Sequence, residues 1–214
     1  MGTRGAVGFR INKEDKVTYN HSDSYPHGLG QDVLDFIKNN TLEDMKRAAY
    51  NLMMVNEEVE PTEQQIKECE PWTNTSVSKQ SVKDWYCLLR NAQGNLNAYI
   101  DGLKYMNDGR DFLLDSLFCE YAYVINMDTQ ELEFYSGFNK KALVRKGRYA
   151  NKQADKGRPN DYYGVALLFK TPLTEIQNAN KEQISQLISK MDKKAESFYN
   201  NQEKELKKVK GPKI

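Results

Sequence analysis

Histidine is scarce in this chain: its 214 residues include only two, His21 and His27. Both lie in one short stretch, YNHSDSYPHGLGQD, which also holds two carboxylates, two tyrosines, a proline and two glycines. Two histidines argue against a zinc site, because proteins bind zinc mainly through histidine and cysteine side chains. The concentration of imidazole in one turn makes this stretch the first candidate for a functional site.

Cysteine is also scarce, and its spacing excludes the common zinc and disulfide frameworks. Cys69, Cys87 and Cys119 are odd in number, lie far apart and form no CxxC pair. Such cysteines are typical of reduced, structural thiols in a cytoplasmic protein. The sequence therefore predicts a cytoplasmic location, no metal and no cofactor.

Long apolar runs and an excess of one charge are absent too. No run approaches the ~20 apolar residues that span a bilayer, and the mean hydropathy is −0.79. The opening MGTRGAVGFR lacks the apolar core of a signal peptide, so we expect no membrane association. The net charge is only +1, which argues against general nucleic-acid binding, because such proteins carry a basic excess.

Periodicity predicts strands near both ends of the chain and helices between them. GAVGFRI and KVTYNH favour one hairpin, and EYAYVINMDTQELEFYSGF favours a second. QDVLDFIKNN and TLEDMKRAAYNLMMVNEE have helical apolar faces, DYYGVALLFKTPL is typical of a central strand, and a helix is expected from Thr174 to about Lys208. Runs of strands separated by runs of helices predict an α+β fold with a mainly antiparallel sheet covered by helices.

The chain is expected to form a single domain over residues 1–214. Residues 57–79 and 146–161 are polar, so we expect irregular loops there, with one short helix from Thr62 to Cys69. The end of the chain, residues 209–214, is expected to be a flexible tail.

The loop before the first predicted helix has the pattern of an anion site. Gly28 and Gly30 allow the backbone to approach a ligand. The helix that opens near Gln31 would present amides without internal partners and a partial positive charge. Phosphate binds well at such helix starts. The same glycines are equally typical of a plain tight turn, so both interpretations stay open.

Side chains before these glycines could supply chemistry to a bound anion. His21 and Asp23 lie two residues apart on a segment expected to be extended, so Asp23 could orient the imidazole as a general acid or base. His21 could instead only cap a turn. Tyr19 and Tyr25 could stack on a base, while Tyr25 could also cover the core.

Arg4 is the remaining candidate. It is expected on the first strand among small residues, where a long cation is unusual, and a hairpin would bring its end of the sheet close to His21. A guanidinium there suits phosphate, because it can donate two parallel hydrogen bonds. A surface arginine without function is the alternative.

Three segments, MGTRG, YNHSDSYPHGLG and EYAYVINMDTQELEFYSGF, together resemble a largely uncharacterised family of small proteins common in tailed bacteriophages. Members typically open Met-Gly-Thr-Arg and carry a His-x-Asp-x-Tyr-Pro-x-Gly-x-Gly box, here formed by His21, Asp23, Tyr25, Pro26, Gly28 and Gly30. Many members have an aromatic residue in place of Ser22 and a glycine in place of Ser24, which points to a different pocket shape. The resemblance implies that Arg4, His21 and Asp23 belong to one site.

The short N-terminal strands before the box also resemble those of the N-terminal-nucleophile hydrolase fold, which implies a sheet sandwich. That family's mechanism needs Cys, Ser or Thr at the mature N-terminus. Removal of Met1 would leave Gly2, and Thr3 would serve only after a second cleavage. The fold is therefore an expectation for this chain, whereas the mechanism is not.

The first of three functional hypotheses is a metal-independent hydrolase or lyase that cleaves a phosphodiester in a small nucleotide. Arg4 and the helix start would hold the phosphate, and His21 with Asp23 would move the proton. The phage resemblance implies an anti-defence role in the host cytoplasm, with a cyclic-nucleotide immune signal as the substrate.

The second hypothesis is a sponge that binds the same nucleotide without chemistry. The third is a protein-interaction module, in which the box is a structural turn and the 57–79 segment and the lysine-rich end form contacts. A magnesium site using His21, Asp23 and Glu120 is a further alternative, because Mg²⁺ prefers oxygen ligands. The sequence does not predict an oligomeric state.

Overall fold

The strands form one large and one small sheet in the computed structural model, which describes residues 2–154 and 162–209 and the side chains up to Lys204. Along these residues the strands are β1 Gly5–Ile11, β2 Glu14–Asn20, β3 Met53–Val55, β4 Tyr105–Asn107, β5 Tyr121–Asn126, β6 Glu131–Ser136 and β7 Ala166–Pro172. Five strands form a sheet of order β2-β1-β5-β6-β7, in which the β1–β5 pair is parallel and the other pairs are antiparallel. β3 and β4 form a separate parallel ribbon.

The helices lie mostly between and after these strands. In the described part of the chain they are α1 Gln31–Asn39, α2 Leu42–Asn51, α3 Glu63–Cys69, α4 Trp85–Leu88, α5 Asn97–Ile100, α6 Leu173–Asn178 and α7 Lys181–Val209. A π-helical turn, Pro26–Gly30, runs directly into α1. This turn contains the second half of the histidine-bearing stretch.

Both faces of the large sheet are covered. Phe9, Tyr123 and Phe134 point to the larger core, which they share with apolar side chains of α1, α2 and α7. Their neighbours along the strands, such as Val124 and Tyr135, point to a second core closed by the connections between strands. The predicted α+β fold, with a mainly antiparallel sheet covered by helices in a single domain, is confirmed. The described strands form no sandwich of two large sheets.

Local patterns were accurate where alternation or capping was clear. Both predicted hairpins form, as β1–β2 and β5–β6. The predicted N-cap of α2 is present, because the Thr41 side chain accepts a hydrogen bond from the Asp44 amide. α3 begins after the Thr62 N-cap within the irregular 57–79 segment, as expected. The three cysteines are free and buried.

Three element predictions were wrong. The second helix ends at Asn51 and does not continue to Glu58 as predicted. Met53 belongs to β3, which pairs with β4, and its side chain is 46% exposed. β7 is an edge strand, not a central one. The C-terminal helix is broken after Asn178, where Asn180 and Gln183 exchange backbone-to-side-chain hydrogen bonds that cap a new helix.

The long connection predicted at 146–161 contains no helix or strand over residues 146–154. Residues 155–161 lie outside the described part of the chain. The predicted tail at 209–214 also lies outside it, except that Val209 ends α7. Among the described residues, no helix is both long enough and apolar enough to cross a membrane.

Candidate functional site

The N-terminal hairpin brings the two ends of the candidate site together. In its register Gly5 pairs with Asn20, so Arg4 and His21 lie next to each other just beyond the end of the ladder. Arg4 therefore precedes β1 and is not part of it, because β1 begins at Gly5. The Ser24 amide donates to the Thr3 carbonyl and holds the stretch after His21 against the N-terminus.

Arg4 lines a cavity of about 710 Å³, which we call the aromatic cleft. Its walls include four aromatic side chains, Tyr19, Tyr86, Phe112 and Phe118. Tyr19 and Phe112 meet edge to face, with ring centroids 5.0 Å apart. A cavity of this size with aromatic walls is typical of small-molecule sites.

The guanidinium of Arg4 is positioned by a ring and not by a carboxylate. Its central carbon lies 5.2 Å from the centroid of Phe118. Arg4 forms no ion pair with any residue that the structure describes. Its backbone is fixed instead, because the Arg4 amide donates to the Glu120 carboxylate and the Arg4 carbonyl accepts from the Glu120 amide. The Arg4 backbone is therefore held beside Glu120, whose pKa is raised by burial and lowered less by the Arg4 charge.

Tyr19 links His21 to the aromatic cleft. The Tyr19 hydroxyl and His21 Nδ1 lie 3.0 Å apart and share a hydrogen bond. Burial raises the pKa of the Tyr19 hydroxyl, against the lowering effect of the nearby Arg4 charge. His21 itself is exposed and is not one of the residues that line the cleft. Arg4, Tyr19 and His21 are the three predicted site residues that the structure brings together.

Asp23 does not orient His21. No hydrogen bond or ion pair joins the two side chains among the described residues, and the imidazole is bonded to Tyr19 instead. The segment is not extended as expected, because Asp23 adopts a left-handed backbone conformation with φ +54°. Its side chain lines a different cavity, so Arg4 and Asp23, which the resemblance places in one site, lie at two.

The predicted anion-binding helix start is also absent. The amides of Gly28 and Gly30 both donate to the Tyr25 carbonyl, and the Leu29 amide donates to the Asp23 carbonyl. The Gln31 amide donates to the carbonyl of Gly28. The π-helical turn satisfies these donors internally, so they do not point at a ligand.

Gly28 and Gly30 serve close packing within the turn. A Cβ at Gly28 would lie 2.1 Å from the Asp23 carbonyl oxygen, and one at Gly30 would lie 2.9 Å from the Tyr123 hydroxyl. The Tyr25 side chain is 40% exposed, so it does not cover the core. It also is not one of the residues that line the aromatic cleft. Gln31 likewise lines neither cavity.

The second cavity, of about 500 Å³, lies between the histidine-bearing stretch, α1 and the loop before α5. We call it the acidic cavity, because Asp23, Asp32 and Asp35 line it and none of its lining residues is basic. Burial, and then the neighbouring charge of Asp35, raise the pKa of Asp32. This surface repels the anion that the sequence pattern predicts there.

Sequence reasoning found Arg4 and Tyr19 in the aromatic cleft and Asp23 and Gly28 in the acidic cavity, but it missed the other lining residues. Tyr86, Phe112 and Phe118 belong to segments whose apolar residues could equally have faced the core, so nothing in the local pattern identifies them. Part of the acidic cavity was predictable from the sequence, because Asp32 and Asp35 are three residues apart on a predicted helix and therefore share one of its faces. Among the described residues, no group of three or more His, Cys, Asp or Glu side chains is arranged to hold a metal ion.

Compared with protein-family models, curated proteins and solved structures, the chain gives no match in any of the three searches. The resemblance to the phage family therefore stays a prediction, and the functional argument depends on the geometry of the two cavities.

Proposed function

We propose that the aromatic cleft binds a small nucleotide through a phosphodiester group. The observation that carries this proposal is the Arg4 guanidinium, which is stacked on Phe118 and has no ion-pair partner among the described residues. A guanidinium stacked on a ring can still donate to phosphate from its edge. The aromatic walls can stack on a base, an interaction that contributes about 1–3 kcal/mol per base in single-strand binding proteins.

The charge of the cleft favours a phosphodiester over a polyphosphate. Arg4 shares the lining of the cleft with three carboxylates, those of Glu57, Asp108 and Asp115, and Asp108 is paired with Arg110. A ligand with a single negative charge meets the least repulsion from these groups and can still pair with Arg4. A triphosphate, which carries several charges, would meet more repulsion than attraction.

Asn107 supplies a further reason to expect a base. Its side-chain oxygen is buried, lines the cleft region and has no hydrogen-bond partner among the described residues. Buried acceptors are nearly always paired, so an orphan acceptor beside a cavity suits a ligand N–H group. The exocyclic amino group of adenine, guanine or cytosine is such a donor.

Binding is tested by calorimetry with a panel of cyclic mononucleotides, cyclic dinucleotides, ATP, adenosine and inorganic phosphate. We expect a cyclic nucleotide to bind, and Arg4→Gln to weaken it about tenfold or more, because a charged hydrogen bond contributes about 1.5–3 kcal/mol. Arg145→Gln, a change at an exposed arginine outside the cleft, is the matched control and should bind normally.

Equal affinities of the two variants would contradict the proposal. If no member of the panel bound or shifted the melting temperature, the interaction-module hypothesis would replace it.

A second candidate is the hydrolase or lyase, and the hydrogen bond between Tyr19 and His21 favours it. Tyr19 lines the same cleft as Arg4. It could transfer a proton between a bound ligand and His21, which would then act as the general acid or base. The role that Asp23 was expected to play is not part of this version, since Asp23 lies at the other cavity.

Catalysis is tested by incubating the protein with the bound nucleotide, heating to release it and separating the products by chromatography. Recovery of intact nucleotide supports binding alone, and altered nucleotide supports an enzyme. For an enzyme, His21→Ala should abolish turnover while affinity stays within about tenfold, because proton transfer contributes roughly 10²–10⁴ in rate.

The phage resemblance adds the biological setting to this proposal. A protein that binds or cleaves a cyclic-nucleotide immune signal would act in the cytoplasm of the host, where free, reduced cysteines such as those of this chain are usual. Cyclic dinucleotides are included in the panel for this reason.

A further inference from the structure

A third cavity, separate from the aromatic cleft and the acidic cavity, lies where β7, α6 and α7 meet. Its volume is about 250 Å³. Six of its lining residues come from the end of β7, from α6 and from the first turns of α7, and they are Thr171, Glu175, Gln183, Gln186, Leu187 and Lys190. We call it the threonine cavity. The four residues of α7 recur at spacings of three and four, so they share the helix face that closes the cavity.

The Thr171 hydroxyl is the observation that points to a ligand. Thr171 is only 3% exposed, and its Oγ1 has no hydrogen-bond partner among the described residues. On β7 it lies opposite Leu132, so its side chain is on the sheet face that the helices cover. Buried hydroxyls without a partner are rare, because their burial costs free energy that no hydrogen bond offsets. A ligand in the cavity can supply that partner.

Two charges of opposite sign line the same cavity without pairing. The Lys190 ammonium lies 4.6 Å from the centroid of Phe169, which precedes Thr171 by two residues and therefore shares its face of β7. Glu175 lies on α6. Neither Lys190 nor Glu175 forms an ion pair with any residue that the structure describes. A ligand with both charges can pair with each of them, whereas a singly charged ligand is attracted by one and repelled by the other.

The volume of the threonine cavity limits the size of this ligand. About 250 Å³ corresponds to roughly eight water molecules, at about 30 Å³ each. This is below the usual range for drug-sized ligands and suits a molecule of few heavy atoms. The side chain of Leu187 is only half-buried, so it leaves apolar surface on the cavity wall. A short aliphatic group can cover that surface.

We propose that the threonine cavity binds a free α-amino acid with a short aliphatic side chain. Lys190 pairs with the carboxylate of the ligand, and the Thr171 hydroxyl donates a hydrogen bond to the same group. Glu175 pairs with the ammonium group. The site is independent of the nucleotide site, because none of its lining residues belongs to the aromatic cleft.

The first experiment compares L-valine with two analogues that each lack one charge. These are 3-methylbutanoate, without the ammonium group, and isobutylamine, without the carboxylate. Each is titrated into the full-length protein and followed by NMR of the backbone amides. We expect L-valine to bind at one site per chain, with shifts centred on α6 and the first turns of α7, and at least tenfold more tightly than either analogue. Glycine should bind more weakly than L-valine, because it has no side chain to cover Leu187.

The variant Thr171→Val separates a ligand-binding hydroxyl from a structural one. Valine keeps the branched shape and removes only the hydroxyl, which has no partner among the described residues. The variant should therefore melt at the same temperature as the wild type or higher, yet bind L-valine at least fivefold more weakly. A lower melting temperature with unchanged affinity would show a structural hydroxyl and contradict the proposal.

The two charges are tested by substitutions with opposite effects on 3-methylbutanoate. Lys190→Gln should weaken both L-valine and 3-methylbutanoate about tenfold. Lys181→Gln, at an exposed lysine of the same helix that does not line the cavity, is the matched control and should bind both normally. Glu175→Gln should weaken L-valine but strengthen 3-methylbutanoate, because it removes a charge that repels the carboxylate.

The proposal is overturned if L-valine does not bind, which would mean that water alone satisfies the Thr171 hydroxyl. It is also overturned if either analogue binds as tightly as L-valine, or if Thr171→Val leaves the affinity unchanged. Arg4→Gln should leave the affinity for L-valine unchanged. Failure of the nucleotide proposal and failure of this one are therefore distinguishable.

Discussion

At the scale of single residues, the most constrained charge is Glu133, on the face of the sheet opposite the helices. It is fully buried, and Arg148, Asn126 and Tyr135 all donate hydrogen bonds to it. Burial alone would raise its pKa, but these hydrogen bonds and the Arg148 charge outweigh that effect and lower the pKa to about 2. The carboxylate is thus stabilised by a network that exists only in the folded protein.

We expect Glu133→Gln to destabilise the protein by about 1.5–3 kcal/mol at neutral pH, because Arg148 loses a charged hydrogen-bond partner, although it keeps its ion pair with Asp15. Urea unfolding measures this change. The control is Glu131→Gln. Glu131 lies on the same strand, and Lys170 contacts both carboxylates. Because the Glu131–Lys170 pair is partly exposed, this change should lower the free energy of unfolding by at most about 1 kcal/mol.

The same residue predicts a pH dependence. The pKa of Glu133 is lower in the folded protein than in the unfolded chain, where it is near 4.5. The unfolded state therefore binds a proton more readily, and the stability contributed by this group is lost as the pH falls from about 4.5 to about 2. Unfolding curves of Glu133→Gln should show a weaker dependence in this window than those of the wild type. An identical dependence would contradict the assignment.

Residue chemistry was predictable from the sequence, but residue partners were not. The N-terminal hairpin placed Arg4 near His21 because register follows from strand alternation. The partner of His21 depended on the left-handed φ of Asp23. Aspartate tolerates this conformation, but the sequence does not predict it. The neighbour of Arg4 depended on Phe118, a contact between residues 114 positions apart that no local pattern specifies.

At the scale of elements, the boundary between α6 and α7 depends on one cap. The Asn180 side chain accepts a hydrogen bond from the Gln183 amide, and the Gln183 side chain accepts one from the Asn180 amide. We expect Asn180→Ala to lower the free energy of unfolding by about 1 kcal/mol, because one helix donor loses its partner. Asn180→Asp keeps the acceptor and should stay near the wild type; equal losses for both variants would argue against the cap. Thermal and urea unfolding provide the measurement.

Element type was more predictable than element position. Alternating apolar residues identified both hairpins, and capping residues identified α2 and α3. The edge position of β7 could not be predicted, because strand order is decided by pairings between distant segments. The strand character of Met53 to Val55 also arises from such a pairing, with β4.

At the scale of the whole molecule, α7 contacts both the histidine-bearing stretch and the segment that follows β6. The Asp192 carboxylate lies 2.9 Å from His27 Nε2, in the π-helical turn. Further along, the buried side chain of Gln202 bonds the backbone of Phe138 and Lys140 after β6. Met191, next to Asp192, is fully buried in the larger core.

Met191→Ala should therefore destabilise the protein by about 2–5 kcal/mol through the cavity that it leaves. Lys193→Ala, two residues away and exposed, should change stability little. Hydrogen exchange should also show faster opening of the Gly28 and Gly30 amides in Met191→Ala. Protection unchanged from the wild type would mean that α7 does not support the turn.

The parallel pairing of β1 with β5 has a consequence for synthesis on the ribosome. Gly5 pairs with Tyr121, 116 positions further along, so β1 lacks this permanent neighbour until that stretch has been made. Until then one edge of the N-terminal hairpin is unpaired and open to wrong partners. Nascent chains stalled before residue 121 should accordingly depend on chaperones, and the segment that carries Arg4 should acquire its final surroundings only after β5 has emerged.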